Sequence, residues 1–192
     1  MVIGVVRENL CALTSGTFDV LPFDPLLNGP VYDFEQESGI LYLAGGFTGA
    51  GELAKEFLIY NEVTEEALAP FVANGDITDV VEDGNGGFFL LGNFTTVGDS
   101  LRNAIAHVDS EGQPTDWNVN LEAASPLSYT GVNSVLLLGD TLYLGGSFSS
   151  VNGANRRNVA AVNAMTGSVL PWNPKAKIVD SSSRVFKIDL LN

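Results

Sequence analysis

The chain has 192 residues, and nine Lys and Arg against 23 Asp and Glu give a formal net charge of −14. That anionic excess excludes a nucleic-acid surface and disfavours anionic membranes, since both need clustered cations. With 45% hydrophobic and 17% charged residues, however, the chain is apolar enough to fold around a core.

One pattern recurs along the chain with a period of about 50 residues. Residues 1–30 read as the second half of a unit: Asn9 to Leu13, a turn at Ser15-Gly16, then Val20-Leu-Pro-Phe-Asp-Pro25. Residues 31–76 form a full unit, with Leu41-Tyr-Leu-Ala-Gly-Gly-Phe-Thr48, Glu56-Phe-Leu-Ile-Tyr-Asn61 and Leu68-Ala-Pro-Phe71 in order. Residues 77–131 repeat these phrases as Phe88-Phe-Leu-Leu-Gly-Asn-Phe-Thr95, Asn103-Ala-Ile-Ala-His-Val-Asp109 and Pro114-Thr-Asp-Trp-Asn118. Residues 132–183 do so as Leu142-Tyr-Leu-Gly-Gly-Ser-Phe-Ser149, Asn158-Val-Ala-Ala-Val-Asn163 and Leu170-Pro-Trp-Asn-Pro174, and residues 184–192 match only an opening strand.

Within a unit the third copy is the clearest. Val135-Leu-Leu-Leu138 is a short apolar run, and Gly139-Asp140 is a two-residue turn able to take positive φ. Thr141 to Phe148 returns as a strand, Val159 to Val162 is a third, and after a turn at Asn163 to Gly167 a fourth begins at Ser168. Four short strands per unit, with no helical stripe, predict an all-β fold of β-propeller type. About three complete four-stranded blades are expected, with partial blades at both ends, in a segment of a larger propeller. The runs Leu-Tyr-Leu and Phe-Phe-Leu read as inner strands. Phe47, Phe94 and Phe148 are expected at equivalent sites, as are Phe71, Trp117 and Trp172, with Phe23 at the Trp172 position. Recurrence in every unit makes these aromatics a layer that packs blade on blade rather than a platform for sugars.

These phrases, the third copy above all, resemble the repeats of delta-60-type bacterial β-propellers and, more distantly, the propeller of Rax-type fungal cell-polarity marker proteins. The first copy departs from the pattern, with Gly49-Ala-Gly-Glu-Leu-Ala-Lys55 in its loop and Phe71 in place of a Trp. The resemblance implies a repeat scaffold of secreted or cell-surface proteins and brings no catalytic motif. The start MVIGVVRENLC does not read as a signal peptide. No run approaches about 18 uninterrupted apolar residues, so no membrane insertion is expected.

The chemistry-bearing residues have plain readings. Gly98-Asp-Ser-Leu101 spells an esterase nucleophile string, but Ser100 falls in a polar loop rather than on a strand-to-helix elbow. Asp83-Gly-Asn-Gly-Gly87 alternates oxygen-bearing side chains with glycines as calcium loops do, yet it fits a hairpin turn between Val80-Val81 and Phe88-Phe89. His107 reads as a strand residue partly covered by a neighbouring blade, matched by Ala161 in the next copy. Cys11, within Leu10-Cys11-Ala12-Leu13, reads as a buried inert thiol. The Asn93-Phe-Thr95 sequon is expected to be poorly accessible. Glu65-Glu66 and Glu82-Asp83 read as solvated charge in turns. One Cys and one His leave no structural zinc or haem ligand set.

No catalytic, cofactor or metal residue is therefore expected. The function expected is that of a non-catalytic scaffold, a binding or structural module of a larger protein that offers its loops to a protein or glycan partner. The segment most divergent between copies is Val119 to Gly131. Two alternatives remain: a propeller enzyme or glycan-binding domain with a central-channel site completed by further blades, and a filament or ring subunit whose open ends are covered by more of its own chain or by a second chain.

Overall fold

A computed structural model describes residues 8–21, 23, 27–37, 39–47, 57–61, 66–68, 73–123, 131–175 and 184–189. Phe71, Glu65, residues 1–7 and most of the divergent loop at 119–131 lie outside the described residues. Strands β1 (Val31–Glu37), β2 (Ile40–Gly45), β3 (Phe57–Asn61) and β4 (Glu66–Leu68) form one antiparallel sheet in that order. The second sheet is β5 (Ile77–Glu82), β6 (Phe88–Gly92) and, after the small hairpin of β7 (Thr96–Val97) and β8 (Ser100–Leu101), β9 (Ile105–Val108). Next come β10 (Leu121–Glu122) and the third sheet, made by β11 (Gly131–Leu138), β12 (Thr141–Ser147) and β15 (Val159–Asn163). The hairpin β13 (Ser150–Val151) and β14 (Ala154–Asn155) pairs with β10. Bridges Val108 to Pro114 and Val162 to Val169 bring a fourth segment alongside sheets two and three. There is no helix among the described residues, and none long and apolar enough to cross a membrane.

The three sheets share local rules. Each opening strand carries a bulge at the same register, between Val31 and Asp33, Ile77 and Asp79, and Val132 and Ser134. Opposite each bulge stands a glycine, because the bent strand brings a carbonyl where a side chain would sit. A Cβ on Gly45, Gly92 or Gly146 would lie 2.2, 2.0 or 2.1 Å from the oxygen of Pro30, Asp76 or Gly131. Two residues further on, Phe47, Phe94 and Phe148 are all buried.

Burial on both faces explains why the central strands read as unbroken apolar runs. In β6, Phe88 and Leu90 join a core with Tyr42, Ala44, Phe57 and Ile59 of the first sheet, while Phe89 and Leu91 join one with Val132, Val135, Leu142 and Leu144 of the third. Leu27, Leu41, Leu43 and Phe47, with Leu10 and Phe23, form a further layer over the first sheet. The sheets thus stack face to face in chain order.

Two expectations are corrected. The runs Leu41-Tyr-Leu43 and Phe88-Phe-Leu90 lie in central strands flanked on both sides, while the edge strands are successive neighbours, β5 lying against β1 on one side and β11 on the other. Cys11 is exposed. Alternation along residues 10–13 turns Leu10 and Ala12 inward and Cys11 outward.

The ends follow the same grammar. Leu13 bridges Val20 as Val162 bridges Val169. Leu21 donates to Ala12 O as Leu170 donates to Ala161 O, which puts Phe23 level with Trp172. At the other end residues 184–189 lie against the third sheet. Val185 N donates to Gly146 O (3.0 Å), Asn133 Nδ2 to Val185 O (2.8 Å) and Ile188 N to Ser134 Oγ (3.0 Å).

Candidate functional site

A cleft of about 460 Å³ opens between the ends of the second and third sheets. The second sheet supplies Asp83 and Asn85 from the β5–β6 loop, Phe89, His107, and Thr115, Asp116 and Trp117 of its fourth segment. The third supplies Gly139 and Asp140 from the β11–β12 turn, with Ala164 and Met165 from the turn after β15.

The five-residue loop after β5 closes on its own first side chain. Asp83 Oδ1 accepts the N–H groups of Asn85 (2.6 Å) and Gly87 (2.9 Å), and Gly84 and Gly86 take positive φ. The other oxygen, Oδ2, lies 2.9 Å from His107 Nε2, and His107 Nδ1 lies 3.0 Å from Thr115 Oγ1. With a carboxylate facing Nε2, the neutral ring carries its hydrogen there, so Nδ1 accepts from the Thr115 hydroxyl. Gly87 makes this approach possible: a Cβ there would meet Asp83 Oδ2 at 2.8 Å and His107 Nε2 at 3.0 Å. Phe89 (4.7 Å between centroids) and Trp117 (6.3 Å) wall the imidazole, leaving the Asp83 and His107 side chains each 16% exposed. Burial alone would raise the Asp83 carboxyl, but the two backbone N–H groups and the His107 ring together hold it below its usual value.

The set works first as a clamp. Thr115 Oγ1 also accepts from Trp117 N (3.3 Å) and lies 3.3 Å from His107 O, tying β9 to the segment beside it. Its hydroxyl is held on three sides, which suits positioning better than nucleophilic attack.

A second group of acids lies at the seam of sheets one and two. Asp33 and Asp79 follow the bulges of β1 and β5, and Asp33 Oδ2 accepts Val80 N–H at 2.9 Å. Burial, a hydrogen bond to Asp33 and that neighbour's charge push Asp79 up to about 7, against the opposing pull of Lys187. Glu35 is raised too, by burial first and then by Asp33 and Glu82.

The structure disperses the other candidates. Ser100 pairs with Val97 in the β7–β8 hairpin, while the His107 ring is taken up by Asp83 and Thr115. Asn93 is exposed rather than covered, because β6 ends at Gly92 where the backbone turns out toward β7. Asp83 is not solvated turn charge: both of its oxygens are engaged. Glu66 begins β4. No group of three or more His, Cys, Asp and Glu suited to a metal occurs among the described residues. Trp117 and Trp172 hold matching edge-on contacts with Phe89 (5.1 Å) and Tyr143 (5.2 Å), though Trp117 is 7% exposed and Trp172 41%.

The Asp83–His107 pairing was missed because the partners are 24 residues apart and Asp83 carries a sufficient local explanation as a turn former. Laying the copies side by side supplies the missing signal. Asp83, His107 and Thr115 stand where the third copy has Leu138, Ala161 and Leu170, so three apolar positions become polar together. No family model matches the chain, and no curated protein matches it significantly.

Proposed function

We propose that the chain is a segment of a β-propeller acting as a non-catalytic scaffold, a binding or structural module of a larger secreted or surface assembly. The observation that carries this reading is the stacking of three sheets of one pattern in chain order, with their opening strands β1, β5 and β11 as successive neighbours. The resemblance of the repeat phrases to delta-60-type propellers supports it. A crystal structure of the purified chain tests the architecture. Blades fanned about a common axis are expected, and two continuous sheets facing each other would overturn the propeller. A panel of ester and glycoside substrates tests the rest, since turnover abolished by Ser100→Ala or His107→Ala would make the module an enzyme.

The ring-or-filament reading is favoured by one further observation. Residues 184–189 extend the series past β11, with Phe186 68% exposed and the Arg184 guanidinium 4.8 Å from its ring centroid. Sedimentation of the purified chain checks it: self-association supports completion by copies, and a monomer at all concentrations speaks for further blades of the same chain.

A further inference from the structure

We propose that the cleft between the second and third sheets receives a cationic side chain, the guanidinium or ammonium group of a basic peptide segment. This rests on the binding-module reading and names the ligand class for it.

The first support is the contrast between copies. The third sheet keeps the same strands and bulge with Leu138, Ala161 and Leu170 at the positions of Asp83, His107 and Thr115. The scaffold therefore folds without these polar groups, and their joint appearance at one cleft is not a demand of the fold. The second support is charge. Asp83, Asp116 and Asp140 converge on the cleft from both sheets, and no Lys or Arg among the described residues lines it. Phosphates, nucleotides and carboxylates are repelled by such a lining, whereas a guanidinium finds charge-assisted acceptors on two walls.

Exposure then separates a cation from a sugar. Phe89 and Trp117 are buried, so they offer no open ring face for a pyranose, while Asp116 and Asp140 are exposed. The exposed charged groups of the cleft are thus the Asp116 and Asp140 carboxylates, with the exposed Met165 side chain beside them to cover the aliphatic stem of an arginine or lysine. Trp117 adds a further mark: it lines the cleft, and its buried indole N–H has no acceptor among the described residues. At about 460 Å³ the space falls within the range of roughly 300–1,000 Å³ common for ligand sites, enough for a side chain with adjoining backbone.

The test uses the full chain carrying Trp172→Phe, which leaves Trp117 as the sole indole, and an N-acetylated, C-amidated Gly-Arg-Gly-Arg-Gly peptide as probe. Saturable change in Trp117 fluorescence is expected, weakening as salt rises. The double variant Asp116→Asn/Asp140→Asn should weaken binding about tenfold. Both sites are exposed and Asn suits the Gly139-Asp140 turn, so the fold is retained. Asp19→Asn/Asp99→Asn removes the same charge elsewhere and should change binding little.

Equal weakening by both double variants, equal binding of the same peptide with citrulline in place of each arginine, or binding of a neutral oligosaccharide in place of the arginine peptide would overturn the proposal. If the folded chain binds none of the probes, the cation proposal fails and the scaffold reading stands. If it binds the peptide and also cleaves it, the scaffold reading fails and the cation site stands.

Discussion

The second and third sheets are built on one skeleton and differ in chemistry at the cleft they share. Gly92 and Gly146 sit opposite equivalent bulges, and Phe94 and Phe148 fill equivalent holes. Arg102 Nη2 donates to Thr115 O (2.6 Å) as Arg156 Nη2 donates to Leu170 O (2.9 Å). Against this sameness, the second sheet closes its first hairpin with a five-residue loop and an Asp–His–Thr set, where the third uses a two-residue turn and aliphatic side chains. What repeats is what packing requires, and what fails to repeat is free to carry chemistry.

The sharpest way to break this comparison is at the glycines. Gly92→Ala and Gly146→Ala each drive a methyl group to about 2 Å from a backbone carbonyl that cannot move without unmaking the bulge. Each should destabilise the fold by about 3 kcal/mol or more, at the upper end of overpacking effects. Urea unfolding of the two variants should give matching losses. Tolerance of one and not the other would show that the bulges are not equivalent.

The arginines come next. Arg102→Ala and Arg156→Ala should each destabilise by about 1–2 kcal/mol, since each removes a charged donor to a carbonyl of the adjoining segment. Similar melting shifts for the pair are expected. A loss confined to Arg102 would tie that residue to the cleft instead of to the repeat.

The same contrast sets what can be read in the sequence. The repeat, the Gly139-Asp140 hairpin, the loop at 83–87 and the three buried Phe positions were legible, because each is fixed by residues close together in the chain or by a phrase written three times. Contacts that depend on which face meets a neighbour were not. Cys11 sits in an apolar run, and only the seating of residues 10–13 on the first sheet decides that it faces outward. The strand runs gave no sign that β1, β5 and β11 would be successive neighbours across the stack, beside the apolar contact between β2 and β6.

The cleft gives a smaller effect, confined to the second sheet. His107→Ala makes the second copy resemble the third at one position, and should lower stability by about 1 kcal/mol by stranding Asp83 and Thr115. Adding Asp83→Leu and Thr115→Leu should recover part of that loss, since no polar partner is then left behind. Thermal melts of the single and triple variants decide it: a triple variant weaker than the sum of its parts would mean that the polar set is structural after all.

The smallest effect separates the cleft from the seam of the first two sheets, and its signature is a slope with pH. Asp79 is raised in the folded chain from 3.8 to about 7, so between those values the folded protein holds a proton that the unfolded chain has released. Stability from this site is therefore fully present below about pH 4, declines as pH rises toward 7 and is flat beyond. Asp83 runs the other way, because its folded value is lowered: its contribution is present above about pH 4 and is lost as pH falls through the folded value. Asp79→Asn mimics the protonated carboxyl at every pH and should keep a donor toward Asp33. It should raise the melting temperature at pH 8 by about 2 °C or less, since the partly open site screens the charge, and should remove the decline between pH 4 and 7. Melting curves at pH 4.5 and 8 on the parent and the variant measure the difference, and an unchanged slope would show that Asp33 and Asp79 do not share a proton across the seam.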